Sequence, residues 1–283
     1  FTINWLMIGV FLFLGGKWNT LPAMVMGMVY MLIPAISAII IERKSGNQII
    51  ESLGIKFKPN IWYLYAWLVP PIMVLISLLL GLLVKDVQFS PSMQGYFERY
   101  SGIIDNTRLD MAREQIKELG GTLYIILIIQ AFVAGITVNG LFGLGEELGW
   151  RGFMLKELKS LGFWKSAIII GIIWGVWHAP IILIGHNYPN FPYIGVLFMI
   201  IFTTLLTPLM NYFTIKAKST IPAAIFHGSV NGFAGFSFIF LKGGNELTIG
   251  FMGFVGFISI IIVSLFFYIY EISHNKGNII KGG

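Results

Sequence analysis

Residues Ser166–Ile215 read SAIIIGIIWGVWHAPIILIGHNYPNFPYIGVLFMIIFTTLLTPLMNYFTI, fifty positions without an Asp, Glu, Lys or Arg. About 20 apolar residues suffice for a helix to cross the hydrocarbon core of a bilayer. The run is too long for one crossing and too apolar to clothe a soluble surface. It breaks at Gly185–Pro192, where glycine, two asparagines and two prolines favour a turn, so it reads as two helices. Charge-free runs continue the pattern on both sides, at Phe1–Gly16, Leu21–Ile41, Ile61–Val84, Leu119–Gly145, Ser219–Leu241 and Leu247–Tyr270. The first is short and starts without Met, so it reads as a clipped helix. It lacks the basic flank and small-residue cleavage site of a signal peptide. The expected fold is all-α, a polytopic membrane protein whose residues 1–283 form a single transmembrane domain of about eight helices.

Composition agrees. Of 283 residues, 56 % are hydrophobic and only 11 % charged, and the mean hydropathy is +0.80. A soluble domain carries roughly 25 % charged residues, so a soluble enzyme is excluded, and so is a disordered chain. With no cysteine, disulfides, Cys-ligated metals and thiol nucleophiles are excluded as well. The net charge of +6 does not mark a nucleic-acid binder, because the basic residues sit in short connections between apolar runs.

Those connections predict orientation. One alternating set holds Arg43, Lys44, Lys56, Lys58, then Arg151, Lys156, Lys159, Lys165, then Lys216, Lys218, then Lys276, Lys281, twelve of the nineteen basic residues. The opposite set holds Lys17, Lys242 and five more in the loop from Lys85 to Glu118, where six acids offset them. Cytoplasmic loops are enriched in Lys and Arg, so both termini are expected in the cytoplasm. Within residues 85–118, a solvated connector, Asn106–Leu119 has the spacing of an amphipathic helix lying on the outer surface. No internal repeat supports an inverted-repeat transporter.

Titratable groups at membrane depth are costly and default to function. The candidates are Glu146, Glu147, Arg151, His178 and His227, whereas His186, at the outer break, and His274, in the tail, read as solvated. Glu147 and Arg151 are four apart and share a helix face, which suits an ion pair that braces the bundle. Glu146 points about 100° away and is left free. His178 precedes Pro180, where a proline interrupts the hydrogen-bond ladder. His227 and Asn231 share a face of the seventh helix. Either imidazole alone reads as an interhelical hydrogen bond and Asn231 alone as helix glue, while Trp174 and Trp177 pack or wall a pocket. Serine chemistry of the rhomboid type wants Gly-x-Ser-Gly, which Gly235-Phe-Ser237-Phe lacks. Aspartyl chemistry wants two intramembrane Asp residues, and His-Glu-x-x-His is absent. Glu/His general-base hydrolysis remains, with or without a metal.

Glu146-Glu147-x-x-x-Arg151, Trp174-x-x-x-His178 and His227-x-x-x-Asn231, in that order, resemble the three signature motifs of the CAAX protease and bacteriocin-processing family of intramembrane endopeptidases. That family includes the type II CAAX prenyl endopeptidases, which remove a C-terminal tripeptide from prenylated proteins. The resemblance covers residues 144–231. It implies that Glu146 and His178 activate the attacking water, that His227 and Asn231 steady the oxyanion, and that Glu147 and Arg151 support them. Trp174 stands where the prenyl-protein members usually have Phe, and Gly149-Trp-Arg-Gly152 is closer to the broad prokaryotic branch. The implied partners are membrane lipid and a membrane-associated protein or peptide, with or without a prenyl group, and not nucleic acid.

Cofactor use has two readings. Glu146, His178 and His227 can form a zinc shell with an open water position. The same residues can act without a cofactor as a glutamate-dependent protease, which is favoured because Asn231 is a poor zinc ligand and a good oxyanion donor. The rival functions are a proton-coupled transporter using these groups as a relay and a non-catalytic membrane chaperone or immunity factor. One geometric obstacle stands: Glu146 closes its helix at the cytoplasmic end, while His178 lies 12 residues inward from Ser166, about 18 Å at 1.5 Å per residue. They meet if the fourth helix starts late or bends, in a cell-membrane cavity of the inner leaflet open to the cytoplasm.

Overall fold

In the computed structural model, which describes residues 1–102 and 105–281, the charge-free runs are helices. The principal helices, among which α4 is a charged segment of the 85–118 loop rather than such a run, are α1 (Thr2–Phe13), α2 (Leu21–Lys44), α3 (Ile61–Gly81), α4 (Asn106–Leu119), α5 (Gly121–Ile136), α6 (Val138–Glu147), α7 (Phe163–Trp177), α8 (Ala179–Leu183), α9 (Pro192–Ala217), α10 (Ile221–Phe233) and α11 (Phe254–Asn275). The long opening run divides as its turn residues predict, with α8 ending at Leu183 and α9 starting at Pro192.

Among the described residues, six helical stretches are long and apolar enough to cross a membrane. They are α2, α3, the stretch Gly121–Glu157, α9, Ile221–Phe240 and α11. Helices α1 and α7 are apolar but shorter, and α7 is prolonged through His178 into α8. The architecture is a polytopic all-α membrane fold. A minor departure from all-α is a pair of two-residue strands, β1 (Gln88–Phe89) and β2 (Leu241–Lys242), joined antiparallel with Phe89 opposite Leu241. Residues 103–104 of the Lys85–Glu118 loop and 282–283 lie outside the described residues. Within that loop, Leu109 of α4 is buried with Met93 and Phe97 and packs toward Leu123 and Tyr124, so α4 covers the start of α5.

Local chemistry sets the helix ends. The Thr20 hydroxyl accepts from the Ala23 N–H at the start of α2, with a proline in the first turn. Asn60 Oδ1 accepts from the Trp62 N–H at the start of α3. Each bond satisfies a donor that the helix leaves orphaned. At the other end of α2, Arg43 and Lys44 occupy the last turn, where cations complement the helix dipole.

The helices meet through glycine. Lipid gives no hydrophobic drive to helix association, so close packing of small residues carries it. A Cβ added at Gly171 or Gly175 of α7 would lie 2.5 Å from the Cα of Thr204 or Ile200 on α9, and one at Gly228 of α10 would lie 2.5 Å from the Gly140 nitrogen of α6. These two crossings bring the motif-bearing helices together.

Two acids beyond the sequence candidates are buried at the basic end of the bundle. Glu42 accepts from Lys156, Ser52 and Asn47, and Glu271 accepts from Tyr212, Lys216 and Asn275. Each carries one lysine as counter-charge, which is the arrangement that makes burial of a carboxylate tolerable.

Overpacking a tight contact costs about 1–3 kcal/mol or more. Gly175→Val is therefore expected to lower the midpoint of thermal unfolding in detergent clearly. Gly9→Ala, at a position with nothing within 4 Å of an added Cβ, is expected to leave it unchanged.

Candidate active site

The helix bearing the two glutamates does not stop at them. After α6 the backbone continues as a π-helical turn, Leu148–Met154, and then as Leu155–Glu157. The expectation that Glu146 closes its helix is thus corrected, and the reason is electrostatic. Arg151 is neutralised by Glu147 and Lys156 by Glu42, so two further turns stay helical despite their charges. At the other end Thr137, with φ −110° and ψ −103°, separates α5 from α6. The interruption and the extension carry Glu146 into the bundle and remove the 18 Å obstacle. π-Turns of this kind recur at functional sites.

Glu147 is the hub. One of its oxygens accepts from Arg151 Nη1 at 2.8 Å, with the other at 3.1 Å, and both side chains are wholly buried. The ion pair was expected, but a second partner was not: His227 Nδ1 donates to Glu147 Oε1 at 2.8 Å. Because a carboxylate accepts and does not donate, this bond fixes the ring so that His227 Nε2 faces Glu146 Oε1, 4.0 Å away. Arg151 in turn donates from Nη2 to Thr207 on α9 at 3.0 Å, and its guanidinium lies 4.6 Å from the Trp174 ring centroid.

Among the described residues, Glu146 is paired with no Lys or Arg. Its Oε2 accepts from the Trp174 indole N–H at 2.7 Å and from that of Trp150 at 3.4 Å. The indoles hold one oxygen and leave Oε1 turned toward His227. Trp174, expected as packing or pocket wall, therefore orients the carboxylate directly.

His178 sits where Pro180 interrupts the helix between α7 and α8. Its Nδ1 lies 2.9 Å from the Trp174 carbonyl. A carbonyl can only accept, so Nδ1 carries the proton and Nε2 presents a lone pair. The Trp177 ring stands edge-on to this imidazole, with centroids 4.8 Å apart. Tyr30 of α2, which the sequence did not single out, locks Trp177 by donating to its carbonyl at 2.6 Å.

Glu146, His178, His227, Asn231, Trp174 and Trp177 all line one cavity of about 360 Å³. Asn231 is exposed to it and, among the described residues, its amide has no hydrogen-bond partner, unlike an interhelical glue residue. The far wall is built from Trp18, His186, Asn187, Gly235 and Met252. These residues belong to the connections at the opposite end of the bundle from Arg43, Lys156 and Lys216. His186, read as solvated, is part of this wall and stands edge-on to Trp18 at 5.2 Å. His274 is exposed, stacked on Tyr270.

Glu146, His178 and His227 were also the candidate zinc ligands. Among the described residues no three His, Asp or Glu side chains are placed to share one metal ion.

Residues 121–233 match the Rce1-like type II CAAX prenyl endopeptidases. The matched stretch contains every motif position of the cavity. That stretch, 113 of the 283 residues, is what the likeness to the CAAX prenyl endopeptidases rests on. A curated relative, CAAX prenyl protease 2 of Methanococcus maripaludis, is 43 % identical over 44 residues, 15 % of this chain and 16 % of that protein. The chain thus aligns with about one sixth of the length of the curated relative it matches. Sequence reasoning found the motif side chains. It missed Tyr30, Trp150 and Thr207, whose only signal was a polar atom on an otherwise apolar helix face.

Removing one partner of a buried pair costs about 3–5 kcal/mol, so Glu147→Gln and Arg151→Met are each expected to unfold at a markedly lower denaturant concentration. Glu147→Leu combined with Arg151→Met is expected to regain most of that stability, because no uncompensated charge remains. Equilibrium unfolding in mixed micelles measures both.

Proposed function

We propose that this protein is an intramembrane endopeptidase of the cell membrane that hydrolyses a peptide bond with a water activated by Glu146 and His178. One observation carries the reading: a carboxylate without a Lys or Arg partner and two imidazoles with oriented Nε2 atoms share a cavity with an amide that no other described residue satisfies. Charged and polar groups this deep in an apolar bundle are costly unless used.

In the proposed reaction, water binds between Glu146 Oε1 and His178 Nε2. Glu146 takes its proton as the water oxygen attacks the scissile carbonyl. The carbonyl oxygen becomes an oxyanion, held by the Asn231 amide N–H and by His227 Nε2 when that ring is protonated. Collapse of the tetrahedral intermediate breaks the C–N bond, and Glu146 returns the proton to the leaving nitrogen. Trp174 and Glu147 act as positioning residues, the first for the carboxylate and the second for the His227 ring. General acid–base catalysis contributes about 10²–10⁴-fold, and donors fixed where charge develops add more.

The substrate class in this reading is an apolar segment of a membrane-associated protein, since Ile181, Met199, Phe202, Leu206 and Val230 supply most of the inner wall. The relative's name speaks of prenylated proteins. Whether a prenyl group is needed here is decided by a panel of prenylated and unprenylated peptides offered to the purified protein in lipid nanodiscs. Glu146→Gln is expected to abolish cleavage of every peptide that the unaltered protein cleaves; full activity in that variant would remove the assignment. A chelator is expected to leave most activity intact, whereas loss restored stoichiometrically by Zn²⁺ would establish the metal-dependent route.

Asn231→Ala is expected to lower kcat by about 10²–10³-fold, the usual cost of one oxyanion donor, with little change in KM. Steady-state kinetics beside a melting curve checks this. A glue residue would instead show a small loss of stability of about 0.6 kcal/mol and normal turnover.

A further inference from the structure

We infer that a pocket at the basic end of the bundle is a phosphate site, occupied by the headgroup of an anionic phospholipid. It stands apart from the candidate active site, because no residue lines both cavities, and nothing in it depends on the endopeptidase reading. Its volume is about 330 Å³, within the range of small-molecule sites. Residues 51–54 between α2 and α3, residues 155–159 after the π-helical turn and residues 218–220 between α9 and α10 supply most of its walls. These connections lie at helix ends. Lys216, in the last turn of α9, places its ammonium 5.2 Å from the Trp62 ring centroid at the start of α3, and Tyr63 and Tyr65 follow Trp62. Trp and Tyr gather at the boundary between bilayer and water. The pocket is therefore at the level of lipid headgroups.

Charge selects an anion. The acids around the pocket are already matched: Glu51 pairs with Lys56, Glu147 with Arg151, and Glu42 and Glu157 with Lys156. Lys159 and Lys218 also line the pocket; among the described residues neither has an acidic partner, and both are exposed. Arg151 is part of the wall, and its Nε is without an acceptor among the described residues, so the brace with Glu147 leaves that cation hydrogen-bonding capacity. Helix α10 starts at Ile221, beside Ser219 and Thr220 of the pocket, and the positive end of its dipole favours a negative ligand. The Ser219 and Thr220 hydroxyls donate to the Gly54 and Leu53 carbonyls, which ties two of the walls together. Ile215, exposed on α9, and Leu155 complete the lining with apolar surface. That surface suits the first methylenes of an acyl chain and has no use for a free phosphate, which decides between the two sources.

The test titrates the full chain, in a neutral detergent, with short-chain phosphatidylglycerol, with phosphatidylcholine of the same chains and with inorganic phosphate. The shift of the thermal-unfolding midpoint reads binding to the folded protein. Phosphatidylglycerol is expected to raise the midpoint saturably, and the other two to need at least about tenfold higher concentration for the same shift. A lysine within reach of an anionic headgroup strengthens binding about fivefold, so Lys159→Gln combined with Lys218→Asn is expected to weaken phosphatidylglycerol about 30-fold. Lys218 has φ +54°, a backbone conformation that asparagine tolerates, and both side chains are exposed, so the unliganded midpoint is expected to stay unchanged. Should that variant melt early, Lys159→Gln alone decides, with an expected loss of about fivefold. Arg43→Gln combined with Lys44→Gln removes the same charge from exposed positions at the same end but outside the pocket; it is expected to change affinity less than about threefold. Equal losses in the two double variants would reduce the effect to diffuse attraction and overturn the site, as would an unchanged affinity in the pocket variant. Inorganic phosphate or phosphatidylcholine matching phosphatidylglycerol would overturn the anionic-lipid assignment.

Discussion

The structure depends on one buried carboxylate doing two things at once. Glu147 neutralises Arg151 and anchors the Nδ1 of His227, so a single side chain joins the helix bearing the glutamates to α10. Through Arg151 and Thr207 the same network reaches α9, and Thr207 donates to the Thr203 carbonyl while the Thr203 hydroxyl donates to Gly171 of α7. Taking two charges out of water costs several kcal/mol per ion after relaxation. This chain meets that cost with an ion pair in which Arg151 Nη1 reaches both Glu147 oxygens, an imidazole and a threonine hydroxyl, while Arg151 Nε has no partner among the described residues. The brace and the geometry of the candidate site are therefore one object.

Around that object the rest of the site is arranged by exclusion. Glu146, the adjacent residue, points elsewhere and receives only indole N–H groups, which orient a carboxylate without cancelling its charge. His178 and His227 each spend Nδ1 on a fixed acceptor. Two rings from different helices thus present the same kind of atom to one cavity. Such pre-set orientation is what lets donors and bases act without reorganising during reaction.

The sequence made the helices legible because lipid imposes a simple rule, an apolar run of about 20 residues between charges, and Gly185–Pro192 marked its break plainly. It made the motif side chains legible because charged and titratable residues are rare in such runs. The end of the fourth helix was not legible. Lys156 looked like a loop charge until the structure supplied Glu42, 114 positions away, as its partner. The His227–Glu147 bond was likewise hidden, since 80 residues separate the two and no periodicity reports a contact between helices.

Trp174 holds Glu146 with its indole, His178 with its carbonyl and Arg151 with its ring face. A substitution there that reshapes the cavity also releases the carboxylate, so the floor of the site cannot drift toward new specificities one residue at a time. Met252 on the far wall is under no such constraint, and its unbranched, polarisable side chain adapts to varied apolar shapes. Evolution can retune what this protein accepts at the rim while the floor stays frozen, and lineages carrying the same three motifs can diverge in diet without diverging in chemistry.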